Sequence, residues 1–159
     1  MVRKGSVGVE SPQEHLLRLR LVLVDPSPDV LFGLQRGSSE IVGAKRSTGD
    51  SLTFDFDLRA RPEGGSLRLL GPFTQGPPSA RFVYLNVGTY AGDPTSCWSR
   101  RAKIPLSGLT PELCEQALAT PSGLLQASIA GRGRDGSPVC AGVRLLEPGW
   151  SVVNDLAAT

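Results

Sequence analysis

Leucine recurs at alternate positions in residues 16–24. Leu17, Leu19, Leu21 and Leu23 fall on one side of an extended chain, with Arg18, Arg20, Val22 and Val24 on the other. The spacing predicts a β-strand with one dry face. Asp25-Pro26-Ser27-Pro28-Asp29 ends it, because proline has no N–H to give to a ladder and restricts the residue before it. A second strand is predicted over 30–36, and a weaker third over 41–46 stops at Thr48-Gly49-Asp50. Residues 52–59 carry the cleanest alternation: Leu52, Phe54, Phe56 and Leu58 share one face, and Thr53, Asp55, Asp57 and Arg59 the other. After Pro62-Glu63-Gly64-Gly65, residues 67–70 predict a short strand before the loop 71–80.

Two further runs follow. In 81–87, Val83, Leu85 and Val87 oppose Phe82, Tyr84 and Asn86; bulk on both faces marks a central strand. In 98–106, Trp98, Arg100, Ala102, Ile104 and Leu106 alternate with Ser99, Arg101, Lys103 and Pro105. Arg101 and Lys103 therefore face solvent together, while Arg100 falls on the mainly apolar side and needs a partner or an open strand end. One short α-helix is predicted near 110–119, with Thr110 as N-cap, Pro111 in the first helical position and Glu112 in the first turn. Leu113, Cys114, Ala117 and Leu118 give it a narrow apolar stripe, suited to lidding the core. Residues 124–130 and 139–146 read as a closing hairpin around 131–136. The expected fold is all-β, a single antiparallel β-sandwich over residues 15–150, with residues 1–14 and 151–159 as loosely held tails.

Composition narrows the function classes. At 159 residues the chain fits one domain with one core, and its 19 glycines and 13 prolines agree with many short elements joined by turns. Seventeen basic against fifteen acidic residues leave a net charge of only +2, which predicts neither nucleic-acid nor anionic-membrane affinity. No run approaches the ~18 apolar residues of a membrane span, and no apolar segment follows Arg3 and Lys4, so a soluble, cytoplasmic protein is expected. Cys97, Cys114 and Cys140 are odd in number and widely spaced; neither a disulfide framework nor a zinc site is predicted. His15 is the single histidine, which argues against a histidine metal cluster and a Ser-His-Asp mechanism. No metal and no cofactor is expected.

The motifs are weaker than their spellings. Gly131, Gly133 and Gly136 satisfy G-x-G-x-x-G, yet a strand-like run follows where a dinucleotide site needs a helix, so a hairpin loop is the better account. The segment 43–49 has phosphate-loop composition, but Lys45 does not follow its second glycine. Asp55 and Asp57 form a carboxylate pair better explained as a solvated strand face opposite Arg18 and Arg20 than as catalytic groups. Phe82, Tyr84 and Trp98 can stack on a flat ligand with Gln75 and Asn86 supplying hydrogen bonds, although core packing is the favoured expectation for these rings. Ser107 lacks a nucleophile elbow and a base, and reads as a turn serine. No catalytic residue is assigned.

Several longer stretches carry a resemblance: 32–37 (FGLQRG), 52–59, 71–78 (GPFTQGPP), 81–84 (RFVY), 88–92 (GTYAG) and 98–108 (WSRRAKIPLSG). Together, over roughly residues 16–146, they resemble a family of uncharacterised bacterial proteins of unknown function, which implies no activity and no site residues. The order of a Leu-Thr-Phe-Asp-Phe strand, an aromatic-bearing strand, 104–109 (IPLSGL), a crossing segment and a closing hairpin is also similar to C2 β-sandwiches of about eight strands. The loop aspartates Asp25, Asp29, Asp93 and Asp135 stand singly, so calcium is not part of that likeness. The expected function is a non-catalytic binding or protein-interaction module. The alternative is an enzyme or binder of an anionic metabolite at Gln75, Tyr84, Asn86 and Arg100, with Arg132 or Arg134 meeting Arg100 at one end of the sandwich where the closing hairpin packs near the Trp98 strand.

Overall fold

The computed structural model describes residues 14–89, 98–131 and 149–155. In chain order these hold β1 (His15–Val24), β2 (Val30–Arg36), β3 (Glu40–Arg46), β4 (Leu52–Glu63), β5 (Ser66–Leu70), β6 (Phe82–Thr89) and β7 (Trp98–Pro105). Helix α1 (Pro111–Ala119), β8 (Gly123–Ala130) and β9 (Ser151–Asn154) complete the described elements. Among the described residues the protein is mostly β with one short helix. The strands form two sheets, ordered β9-β8-β1-β4-β5 and β3-β2-β6-β7.

Alternation in the sequence becomes alternation in burial. Leu17, Leu19, Leu21 and Leu23 of β1 and Phe54, Phe56 and Leu58 of β4 are buried, and the antiparallel register sets Leu19 beside Phe56 and Leu21 beside Phe54. From the other sheet come Phe32, Leu34, Val83, Leu85, Val87, Ala102 and Ile104, and all of these belong to one hydrophobic cluster. Burying each such leucine, isoleucine, valine or phenylalanine contributes about 1.5–3 kcal/mol against the entropy of ordering the chain. β4 runs past its expected end at Arg59 and pairs with β5 around the two-residue turn Gly64–Gly65. Pro62 is tolerated where, among the described residues, β1 pairs only as far as Ala60 and no ladder is made on that edge of β4.

The helix follows its cap. Thr110 Oγ1 accepts a hydrogen bond from the Leu113 N–H at 3.2 Å, Pro111 occupies the first turn, and the chain turns extended at Thr120. Cys114 and Ala117 point into the core, and burial pushes the Cys114 thiol up to about 11, far from thiolate chemistry at neutral pH. Among the described residues no helix is long and apolar enough to cross a membrane.

Four expectations need correction or fall outside what is described. The β-structure is not wholly antiparallel: β8 runs parallel to β1, pairing Leu19 with Leu125 and Leu23 with Ile129. Period-two alternation is the same for either strand direction, and because α1 intervenes between β7 and β8, no hairpin dictates the direction of β8. Residues 151–159 are not wholly a tail, since Ser151–Asn154 forms the edge strand β9 on β8. The second arm of the closing hairpin, 139–146, lies outside the described residues; the described neighbours of β8 are β1 and β9. Residues 1–13 lie outside them as well.

Beyond β9, Asp155 explains why this end is held. Its carboxylate accepts hydrogen bonds from Arg18 at 3.0 Å and Arg20 at 3.2 Å, while Arg20 also grips Asp55 at 2.8 and 3.1 Å. Asp55 is thus a structural carboxylate on an outer face, as its alternation implied. The hydrogen bond from Arg18 is the largest influence; burial, next in size, opposes it, and with the Arg20 hydrogen bond and both positive charges added the Asp155 carboxyl is held below its ordinary 3.8. A depressed carboxylate stabilises the fold above its unfolded pKa and loses that contribution as pH falls through the folded value. The Val153 amide, which faces β8, should therefore lose hydrogen-exchange protection below about pH 3.8. In Asp155→Asn that pH step should be absent and protection already reduced at neutral pH; an unchanged profile would show that Asp155 does not tether β9.

Candidate functional site

The outer face of the four-stranded sheet collects groups that its alternation leaves outside the core. Gly33 of β2 pairs with Asn86 of β6, and Asn86 with Arg101 of β7, so the three form a row across the sheet. At the end of β7 the register shifts: Arg100 pairs with Val87 and Trp98 with Gly88, leaving Ser99 as the extra residue of a bulge. That bulge inverts the alternation before it, so Trp98 shares the face of Arg101.

Gly33 makes room for what gathers above it. A Cβ there would lie 2.5 Å from Ile41 Cγ2 and 3.1 Å from Trp98 Cη2, so only glycine lets the isoleucine and the indole close over the strand. Beside them a cleft of about 420 Å³ is lined by Gln35, Ile41, Asn86, Trp98, Arg101 and the turn serines Ser38 and Ser39. A cleft of this size falls in the range of small-molecule sites.

Two amides sit deep in it. Gln35 is 5% and Asn86 4% exposed, a placement that is unfavourable unless their polar atoms are satisfied. Gln35 Nε2 donates to the carbonyls of Gly37 at 3.3 Å and Ser38 at 3.2 Å. Its Oε1 accepts from Asn86 Nδ2 and from Arg101 Nη1, each at 3.4 Å. Gln75 Nε2 donates to the same Gly37 carbonyl at 2.8 Å, and its backbone pairs with Phe82, so Gln75 braces the turn that holds Gln35.

Arg101 is exposed, and its guanidinium carbon lies 4.2 Å from the centre of the Tyr84 ring. Lys103 repeats the arrangement one step along β7, with Nζ 4.8 Å from the centre of the Phe82 ring. The Phe82 and Tyr84 rings meet edge to face at 4.9 Å. Among the described residues neither cation has a carboxylate within ion-pair distance, unlike Arg18, Arg20 and Arg46. A second hollow of about 370 Å³, lined by Pro77, Arg81, Phe82, Lys103 and Pro105 among others, opens at the Lys103 end.

Tyr84 and Asn86 are thus brought to one face, while Gln75 braces the turn at Gly37. Phe82, Tyr84 and Trp98 do not join the core as expected; they are half-buried on the outer face, because strand partners and the bulge decide which side is dry. The Arg100 side chain, Arg132 and Arg134 lie outside the described residues. Gln35, Ile41 and Arg101 were missed as site residues. Arg101 was already assigned to the solvent face beside Lys103, but nothing in the sequence paired β2 with β6 and so placed Gln35 near it.

One family model, described as a family of unknown function (DUF5990), matches residues 17–153. Comparison with curated proteins and with solved structures returned no match.

Proposed function

Because this chain belongs to the DUF5990 family, whose description assigns no activity, we propose its function from its own geometry: a non-catalytic module that binds an anionic small molecule in the Gln35–Asn86–Arg101 cleft. The carrying observation is the Arg101 guanidinium, seated on Tyr84 and hydrogen-bonded to an amide, with no carboxylate partner among the described residues. A guanidinium has five donors in a rigid plane. Stacking on the ring orients that plane before a ligand arrives, which lowers the entropy lost on binding a carboxylate or phosphate.

The non-catalytic reading rests on what lines the cleft: amides, an isoleucine, an indole, serines and arginine, with no carboxylate, histidine or cysteine among the described lining residues to move a proton. A small-molecule site is favoured over a protein-docking face by the distribution of exposed apolar groups. Among the described residues, the large hydrophobics in solvent are Leu16 and Val24 at opposite ends of β1, and Leu118 on α1, which make no common patch. We place the fold among C2-like sandwiches, supported by the single cluster that both sheets share; the parallel β1–β8 pair is its departure from the antiparallel pattern.

Thermal stability measured against a panel of carboxylate- and phosphate-bearing compounds tests the assignment. A specific ligand at 100 times its dissociation constant should add about 2.7 kcal/mol. Arg101→Ala should weaken binding at least tenfold, about 1.4 kcal/mol, and Arg101→Lys should restore only part of it because the fork is lost. Stabilisation by no anion, or binding indifferent to Arg101→Ala, would overturn the assignment.

A further inference from the structure

We propose that the ligand of this face is a linear dianion, one anionic group held by Arg101 and the other by Lys103, with its chain lying along Tyr84 and Phe82. This rests on the anion-binding reading of the Arg101 cleft and specifies the ligand class.

The geometry that points to it is a repeat along two paired strands. Arg101 pairs with Asn86 and Lys103 with Tyr84, yet each cation leans past its partner to the next ring on the same face: Arg101 to Tyr84, Lys103 to Phe82. Both lean the same way along β6. Their heads therefore keep about the spacing of the strand positions they leave, roughly 6–7 Å for residues two apart. The ring centres beneath them are 4.9 Å apart.

Charge balance supports two anionic groups. Elsewhere in the described residues exposed arginines find acids, Arg18 with Asp155 and Arg46 with Asp29. On this face Arg101 and Lys103 have rings in place of acids, and Arg81, beside Lys103 in the second hollow, donates to the Gly76 carbonyl. The two hollows sit at the two cations, Trp98 and Arg101 in one, Phe82 and Lys103 in the other. A monoanion satisfies one head and leaves the second unanswered. A compact dianion such as phosphate can bridge heads at that spacing but is too small to enter both hollows. An extended dianion answers both heads where they already are.

A chain-length series on the native protein decides it. Acetate, inorganic phosphate and the linear dicarboxylates from malonate to suberate would be titrated by calorimetry at fixed, low ionic strength, with bisphosphonates of matching length as the second chemical source of a linear dianion. Affinity should peak at an intermediate length in one or both linear series and exceed that of acetate at least tenfold. In Lys103→Gln, an exposed substitution that keeps the aliphatic stem on Phe82, the peak should vanish and the best dianion should fall to the level of the corresponding monoanion. A series without a length optimum, or phosphate binding tightest, would overturn the linear dianion while leaving an anion site at Arg101. Binding by none of these anions would overturn both.

Discussion

Phe56→Ala will destabilise the protein by about 3–5 kcal/mol, and Asp55→Ala, its neighbour in β4, by about 1 kcal/mol or less. Phe56 is 5% exposed, sits beside Leu19 in the register and meets the Phe73 ring at 5.6 Å, so its removal leaves a cavity bounded by strands of a hydrogen-bonded sheet. Such walls relax little, and the lost contacts add to the lost transfer energy. Asp55 does hold Arg20 by two hydrogen bonds, but the pair lies at the surface and Arg20 keeps Asp155. Urea denaturation of both variants measures the contrast. Equal losses would mean that β4 is not dry on one side.

The second large effect lies where the helix hands over to β8. Gly123→Ala should cost about 1–3 kcal/mol, because the added Cβ would lie 2.3 Å from the Ala117 carbonyl oxygen and 2.9 Å from the Thr120 carbonyl oxygen. These are main-chain atoms of the helix end and cannot rotate away. The Gly123 N–H also donates to Thr120 O at 2.9 Å, so retreat of the strand breaks the hydrogen bond that closes the turn. Gly149→Ala, with nothing among the described residues within 4 Å of its Cβ position, is the control and should stay within about 0.5 kcal/mol. If the two variants unfold at the same denaturant concentration, the α1–β8 junction is looser than its geometry.

Much of the architecture was legible residue by residue. The alternation of Leu17 to Leu23 and of Phe54 to Leu58 marks two strands and their buried faces, because a β-strand sends neighbouring side chains to opposite sides whatever its partners. Thr110-Pro111-Glu112 marks the helix start, because capping is chemistry within one turn. Tyr84 and Asn86 were legible as site candidates for the same local reason, since they oppose the buried Val83 and Leu85.

The rest depended on which strands meet. Ser151–Asn154 has no strong pattern of its own and becomes a strand because β8 offers an edge and Arg18 and Arg20 hold Asp155. Trp98 changes face because one residue bulges between Trp98 and Arg100, a shift that alternation alone does not register. By itself, then, the sequence determined the β class, the helix, the dry faces of β1 and β4 and the solvent position of Arg101 and Lys103, all properties of neighbouring residues. Tertiary structure alone decided that β8 runs parallel to β1 and that Gln35, Asn86, Trp98 and Arg101 share one cleft. Strand order, and the pairing of strands not joined by a tight turn, are settled by packing between segments distant in the chain, which the pattern within one strand does not encode.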